Sequence, residues 1–301
     1  MIRWIERFFY APSLLQKLLA YLLLPLSWLY CFFMQQRFKR AVAKDYAIAV
    51  ISVGNLNVGG SGKTPLVTAL ASRFQKSAIV LRGYGRQSKG LHVVSDGSTI
   101  LCDVYTSGDE AMIYAKKLPH CVVIVAEDRI EGIQKAKALG VEVVFLDDAY
   151  SKHHIAKLDL LIDVETQNNF CLPAGPYRER HWRGKNALHV KENIDFTRRV
   201  KVENASARMI LVTAIARAQR LDAFLPDGVI EKHYFPDHHY FDVKMIRELF
   251  ERSGADSILV TYKDFVKLEH AGVPLSLLDL ELDLSENLMH HVTHYMGTYI
   301  R

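Results

Sequence analysis

The sequence predicts an α/β protein made of a doubly wound sheet domain, a second and smaller α/β lobe, and a hydrophobic segment ahead of both. Three observations carry that reading. Apolar runs such as CVVIVA (121–126) and VEVVFL (141–146) alternate with helical stretches, and their lack of polar alternation is what parallel strands buried on both faces require. A glycine-rich turn, VGNLNVGGSGKTP over 53–65, follows the first such run and opens a helix. The chain has 301 residues, 50% of them hydrophobic and 24% charged, which suits about two buried cores and excludes a disordered chain.

The first 44 residues stand apart. They hold seven basic residues (Arg3, Arg7, Lys17, Arg37, Lys39, Arg40, Lys44) against Glu6 alone, more than the whole net charge of +5. Between these charges, Leu18–Met34 runs for 17 residues without one; as a helix it would reach about 26 Å, against a hydrocarbon core of about 30 Å. Pro25 falls in its middle and would kink or break it. Aromatic residues at both ends (Trp4, Phe8, Phe9, Tyr10; Trp28, Tyr30, Phe32, Phe33) match an interfacial belt. Residues 1–45 are therefore read as a membrane-anchor helix attracted to anionic lipid. A net positive charge confined to the residues that flank one apolar run argues against a nucleic-acid partner. Cys31, Cys102, Cys121 and Cys171 form no metal-ligand spacing and are expected as reduced thiols.

From Tyr46 the elements follow in turn. Strand Tyr46–Val53 leads to helix Thr64–Gln75, and strand Ser77–Arg82 to a helix over Ser107–Lys117, with Ser107 as N-cap and Asp109 and Glu110 in its first turn. Strand Cys121–Ala126 precedes helix Arg129–Leu139, which Gly140 ends. Strands Val141–Leu146 and Leu158–Val164 complete a first domain over 46–186. A connector follows, in which Ala187–Glu192 and Val200–Glu203 are expected to pair. The second lobe, 187–301, alternates strand Met209–Ala214, helix Ala218–Phe224, strand Val229–Tyr234, helix Val243–Ser253 and strand Ser257–Thr261. A closing helix, Met289–Ile300, has the option of packing back on the first domain.

The glycine-rich turn carries the most chemistry. Strand, GSGKT and helix together form a nest of backbone N–H groups for phosphate oxygens, supplied by Asn57, Gly59, Gly60, Ser61 and Gly62. Lys63 would bridge the β- and γ-phosphates of a nucleoside triphosphate, and the Thr64 hydroxyl would hold Mg²⁺. Asn57 stands where the strict pattern has glycine, and asparagine tolerates positive φ. Pro65 suits the first helical turn. VVFLDD (143–148) presents Asp147 and Asp148 at a strand end, the usual place for a metal-side carboxylate.

Other motifs are open to two readings. Asp109 and Glu110 either complement a helix dipole, or Asp109 takes the hydroxyl proton in a phosphoryl transfer. FPDHH (235–239) is a surface histidine pair or a functional loop, and its adjacent histidines cannot share one face as a zinc site. RGYGR (82–86) and LPAGPYRER (172–180) are loops with cationic reach; Arg178 and Arg180 suit an anionic headgroup or are solvated charges.

Taken in order, VGNLNVGGSGKTP, LRGYGR, SGDEA, AEDRIEG, FLDDAY, LPAGPYRE, VTAIARAQR, FPDHH and VTYKDFVKLE resemble the lipid A tetraacyldisaccharide 4'-kinase family of Gram-negative bacteria. The resemblance spans Tyr46–Glu269 and includes the hydrophobic amino-terminal segment. It implies transfer of the ATP γ-phosphate to the 4'-hydroxyl of a tetraacyldisaccharide 1-phosphate, a glycolipid, at the cytoplasmic face of the inner membrane. It implies ATP and Mg²⁺ held by Lys63, Thr64, Asp147 and Asp148, and Asp109 as base, tuned by His238 in preference to His239. Tyr84, Arg178 and Glu110 would face the acceptor, and the enzyme is expected as a monomer. Three positions depart from the family pattern: AYSKHH (149–154) replaces GFQH, Ala111 replaces proline, and Tyr262 replaces glutamate. The competing reading, a membrane-associated GTPase or ATPase switch, lacks the N/T-K-x-D strand end of guanine-specific proteins, because TYKD (261–264) puts Lys263 directly beside Asp264.

Overall fold

The structure, a computed structural model, describes residues 2–59, 62–215, 218–237 and 239–299. In chain order the helices are α1 (Ile2–Tyr10), α2 (Leu14–Leu22), α3 (Leu24–Arg40), α4 (Lys63–Ala71), α5 (Val104–Ser107), α6 (Asp109–Lys117), α7 (Arg129–Ala138), α8 (Val243–Ser253), α9 (Tyr262–Leu268) and α10 (Glu286–Gly297). The strands are β1 (Ala49–Gly54), β2 (Ser77–Leu81), β3 (His92–Asp96), β4 (Val122–Val125), β5 (Val143–Asp147), β6 (Leu158–Ile162), β7 (Leu188–Val190), β8 (Phe196–Glu203), β9 (Met209–Thr213), β10 (Val229–Tyr234), β11 (Ser257–Thr261) and β12 (Leu275–Leu284). Ala218–Phe224, expected as an α-helix, is a 3₁₀ helix. The chain folds as two compact units, each assembled from segments distant in sequence.

The first unit comprises Met1–Lys63, Glu142–Asp195 and Ser285–Arg301. Its sheet is parallel, with β1 between β5 and β6 and β7 beyond β6. Every residue of β1 and β5 is buried, as their unbroken apolar runs require. α10 packs on β1, where the Tyr299 hydroxyl donates to Asp45 at 3.2 Å.

The single anchor helix expected over Leu18–Met34 is not formed. α2 and α3 meet at Leu23 with a 59° bend. Pro25 lies in the first turn of α3, where a missing N–H costs nothing; inside a continuous helix it would remove a bond and clash. Among the described residues no single helix is long and apolar enough to cross a membrane, and α2 with α3 meets that test only as a bent pair.

α3 is turned inside out relative to a soluble amphipathic helix. Its buried Ser27 donates to the Cys171 carbonyl at 2.9 Å and accepts from the Ala174 N–H at 3.0 Å. Tyr30 donates to the Arg178 carbonyl at 2.9 Å, and Arg37 pairs with Glu179. These residues share one helical stripe. Leu26, Leu29, Phe32 and Phe33 point away from that stripe and are each more than half exposed. Cys31 and Cys171, expected as separate reduced thiols, form a disulfide with Cα atoms 6.3 Å apart. A separation of 140 residues hid the pairing; the packing of α3 on the 171–179 loop brings the two together. Cys102 and Cys121 are free.

The second unit comprises Thr64–Val141 and Phe196–Leu284. β2 and β4 pair in parallel, and β3, which no sequence signal announced, adds antiparallel to β4. A five-stranded sheet runs in the order β10-β9-β11-β12-β8 over a core of Ile210, Val212, Ile246, Ile258 and Val260. The expected connector pairing is replaced: β7 joins β6 in parallel, and β8 pairs antiparallel along its whole length with β12. That eight-residue ladder runs from Phe196↔Leu284 to Glu203↔Leu277.

The helix expected from Ser107 is two helices. Asp103 caps α5 by accepting from the Thr106 N–H at 2.7 Å, and Ser107 ends it. Gly108, at φ +84°, separates the two, and a Cβ there would lie 3.2 Å from the Tyr84 carbonyl oxygen. Only glycine suits both demands.

In the first unit, Lys157 is fully buried 3.3 Å from Asp159, which also holds Lys185 at 2.6 Å. Burial, opposed by Asp159 and reinforced by Lys185, pushes Lys157 down to about 8. The unfolded chain, with an ordinary lysine near ~10.4, then binds a proton between those values that the folded chain does not. This lysine's contribution to stability therefore rises with pH through that window. In Lys157→Met the rise should disappear from a plot of urea midpoint against pH; an unchanged slope would refute it.

Candidate active site

β1 delivers the chain into the glycine-rich turn, and its neighbour β5 delivers two carboxylates beside it. Val53 and Asp147 are register partners, so the turn and the Asp147-Asp148 pair leave the sheet side by side. Asp147 is buried. Asp148 adopts φ +52° as its N–H donates to the Val53 carbonyl at 2.9 Å, which turns its carboxylate out of the strand.

A knot of polar groups forms around Asn55, the first residue after β1. Asn55 is 2% exposed. Its Nδ2 donates to the Asn57 carbonyl at 2.8 Å, and its Oδ1 accepts from Lys63 Nζ at 3.2 Å and Arg178 Nη2 at 3.0 Å. Arg178 also grips Asp148 through both terminal nitrogens, with Nη1 at 2.9 Å, and Lys63 Nζ lies 3.7 Å from the same carboxylate. Bidentate pairing of this kind fixes direction as well as distance.

The 171–180 segment props the turn from outside. Arg178 and Glu179 both donate backbone N–H groups to the Leu56 carbonyl (2.9 and 3.1 Å), and Val58 donates to the Pro176 carbonyl at 2.9 Å. Asn57 lies in an isolated antiparallel bridge with Tyr177 and does not take the positive φ anticipated from its glycine-like position. Gly59 and Gly62 do, at +99° and +81°. Asn57 Nδ2 is buried with no hydrogen-bond partner among the described residues, a donor facing an unmet demand. Gly60 and Ser61 lie outside the described residues. Behind the knot, Glu179 gathers Arg37, the Trp182 indole N–H at 3.2 Å and His153 at 3.6 Å. An open cavity lies between α3 and the knot, lined by Tyr30, Met34, Arg37, Asp148 and Ser151 among others. Burial and the nearby Glu179 hold the Tyr30 phenol above its usual range.

In the second unit, Asp109 opens α6 and is 5% exposed. Its Oδ2 lies 2.8 Å from Lys267 Nζ. His239 stacks its ring on Phe235 and edges Phe241, while its carbonyl accepts from Lys267 at 3.2 Å. His238, the preferred partner for Asp109, lies outside the described residues. Tyr84 is 67% exposed between Gly83 and Gly85, both at positive φ, and Glu110 is half-buried. Tyr240 stacks on Tyr105 and donates to the Gly85 carbonyl at 3.2 Å, and its phenol is pushed up by burial and by Asp109. Thr64 sits in the first turn of α4, its carbonyl accepting from Thr68 at 2.8 Å.

Of the residues read from sequence, the structure brings Lys63, Asp148 and Arg178 together in the first unit, with Asp147 adjacent along β5. Asn55 and Lys267 were missed as functional residues. Asn55 had a signal, its place directly after a buried strand; Lys267 had none beyond belonging to a recognised segment.

Comparison with known proteins identifies the family. The family model for Tetraacyldisaccharide-1-P 4'-kinase, LpxK, matches residues 19–296. A tetraacyldisaccharide 4'-kinase from Helicobacter pylori (strain HPAG1) is 44% identical over 299 residues, covering 98% of this chain and 96% of that protein. One from Aliarcobacter butzleri (strain RM4018) is 42% identical over 295 residues, covering 95% and 94%. The crystal structure of LpxK from Aquifex aeolicus in complex with ATP superposes with a TM-score of 0.76 at 26% identity, covering 94% of this chain and 100% of that one. The chain belongs to the tetraacyldisaccharide-1-P 4'-kinase family.

Proposed function

We propose that this chain transfers the γ-phosphate of ATP to the 4'-hydroxyl of a tetraacyldisaccharide 1-phosphate, a step of lipid A biosynthesis, at the cytoplasmic face of the inner membrane. One observation supports this above the rest: in a chain of this family, the phosphate-loop lysine and Arg178 converge on Asn55 and Asp148 at the mouth of the glycine-rich turn. Two cations directed at one point suit the charge that spreads over a phosphoryl group during transfer. Main-chain N–H groups of the turn, including Gly59, Gly60, Ser61 and Gly62, cradle the phosphates, with Asn57 Nδ2 as a further donor.

Thr64, Asp147 and Asp148 are hard oxygen donors that suit Mg²⁺, an ion that usually takes few protein ligands and completes its shell with phosphate and water. The ion would neutralise charge on the transferring phosphate. Asp109 accepts the acceptor's hydroxyl proton. His238 tunes it, and Tyr84, Glu110 and Arg178 contact the acceptor.

The membrane reading rests on exposed apolar surface. Leu14, Leu15, Leu18 and Leu22 of α2 are 68–84% exposed, and they join the outward face of α3. A patch of that kind flanked by Lys17, Arg37, Lys39 and Arg40 suits insertion into an anionic leaflet.

Label from γ-labelled ATP should appear in tetraacyldisaccharide 1-phosphate presented in detergent and vanish with Lys63→Ala. Asp109→Ala should bind ATP within about 2-fold of the parent while turnover falls about 10²–10⁴-fold. Lysine-dependent ATP hydrolysis without labelled lipid would point to a switch instead. Asn55→Ala removes one acceptor shared by Lys63 and Arg178 while leaving their contacts to Asp148, so KM for ATP should rise about 10-fold; an unchanged KM would mean Asn55 does not orient them. Paired Leu15→Glu and Leu22→Glu should reduce co-sedimentation with anionic vesicles while leaving ATP binding unchanged, and undiminished sedimentation would remove α2 from the membrane surface.

A further inference from the structure

The segment VTYKDFVKLE (260–269) has no part in the phosphate loop, yet it carries the most completely buried acid of the second unit. Asp264 accepts from the Thr213 and Thr261 hydroxyls, both at 2.7 Å, and from the Ala214 N–H at 3.0 Å. These bonds fasten the first turn of α9 to the carboxyl ends of β9 and β11. Three residues on, along the same face of α9, Lys267 extends to Asp109. The two side chains are 4% and 6% exposed, and their charged atoms are 2.8 Å apart. The same ammonium donates to the His239 carbonyl at 3.2 Å and lies 5.7 Å from the centre of the Tyr240 ring. An ammonium so buried is costly unless its partners are fixed.

Packing between α6 and α9 does not depend on this pair. Met112, Ile113 and Val266 form an apolar contact between the helices, and Lys116–Glu269 and Lys117–Asp279 clamp the far end of α6. Lys267 holds the carboxylate of Asp109 and, through the His239 carbonyl, the loop that carries His239.

We infer that Lys267 is a positioning residue for the transfer reaction: its buried ammonium keeps the Asp109 carboxylate ionised and fixed in direction, and ties it to the 235–241 loop. The inference rests on reading Asp109 as the base. Among the described residues, the charged and titratable groups that act on the pair include Asp264 on α9 and His239 and Tyr240 on the loop, with Tyr105 behind Tyr240, and Glu110 is next to Asp109 in the sequence. The ammonium is the cation in direct contact with the Asp109 carboxylate, and a cation at this distance lowers a carboxyl's pKa by about 1–3 units. Removing it leaves a buried acid whose protonation becomes easier.

The test compares Lys267→Met and Lys267→Arg in the full chain. Lys267→Met should lower kcat about 10-fold or more, leave KM for ATP within about 2-fold, and move the acid limb of the kcat/KM profile upward by about one pH unit or more. Lys267→Arg keeps the charge and should hold that limb near the parental pH. A folded Lys267→Met with an unmoved acid limb would overturn the inference. Asp109→Asn separates the two readings: undiminished turnover removes Asp109 as base, whereas lost turnover beside a parental Lys267→Met removes Lys267 alone. Should Lys267→Met fail to fold, ¹³C titration of the parental Asp109 carboxyl, assigned by difference from Asp109→Asn, decides the matter. A midpoint below the ordinary ~3.9 supports the ion pair, and one at or above it overturns it.

Discussion

The phosphate side of this protein depends on the grip of Arg178 on Asp148 and Asn55. The guanidinium comes from a loop more than a hundred residues beyond the glycine-rich turn, and that loop also lends backbone N–H groups to the Leu56 carbonyl. The turn therefore has an external brace. Its first half is stiffened by Asn55, whose amide bonds inward to the Asn57 carbonyl and outward to two cations. A loop that must meet a polyanion gains from such order, because cations held in place before the ligand arrives need no reorganisation during transfer.

The same brace reaches the amino-terminal helices. Tyr30 and Arg37 of α3 bind the backbone of Arg178 and the carboxylate of Glu179, the neighbouring residues of the gripping loop. With Ser27, Tyr30 and Arg37 bonded to the protein, α3 turns Leu26, Leu29, Phe32 and Phe33 outward. The α3 helix that turns this apolar face outward also supports the loop that carries Arg178.

The second unit solves a different problem, the presentation of one carboxylate. Gly108 breaks the helix so that Asp109 begins a new one, where the dipole favours its ionised form. α9 supplies the countercharge, and its own first turn is pinned by Asp264 to two strand ends. The apolar contact and two ion pairs hold α6 without Lys267, whose buried ammonium is met by Asp109 and by the His239 carbonyl.

Periodicity and turn chemistry in the sequence determined the alternating strands and helices, the phosphate loop and the carboxylates after β5. Those are local properties: an unbroken apolar run is buried on both faces wherever it lies, and GSGKT after a strand forms a nest whatever surrounds it. The ordered motifs determined the family. The sequence did not reveal that Pro25 would start a helix and not bend one, that β8 would pair with β12, that Cys31 would meet Cys171, or that Asn57 would take an extended bridge. Nor did it single out Asn55 and Lys267, or show that Arg178, read as facing the acceptor, would grip Asp148. Each of these depends on a partner distant in the chain, and side-chain direction, burial and charge pairing exist only once packing has brought such partners within a few ångströms.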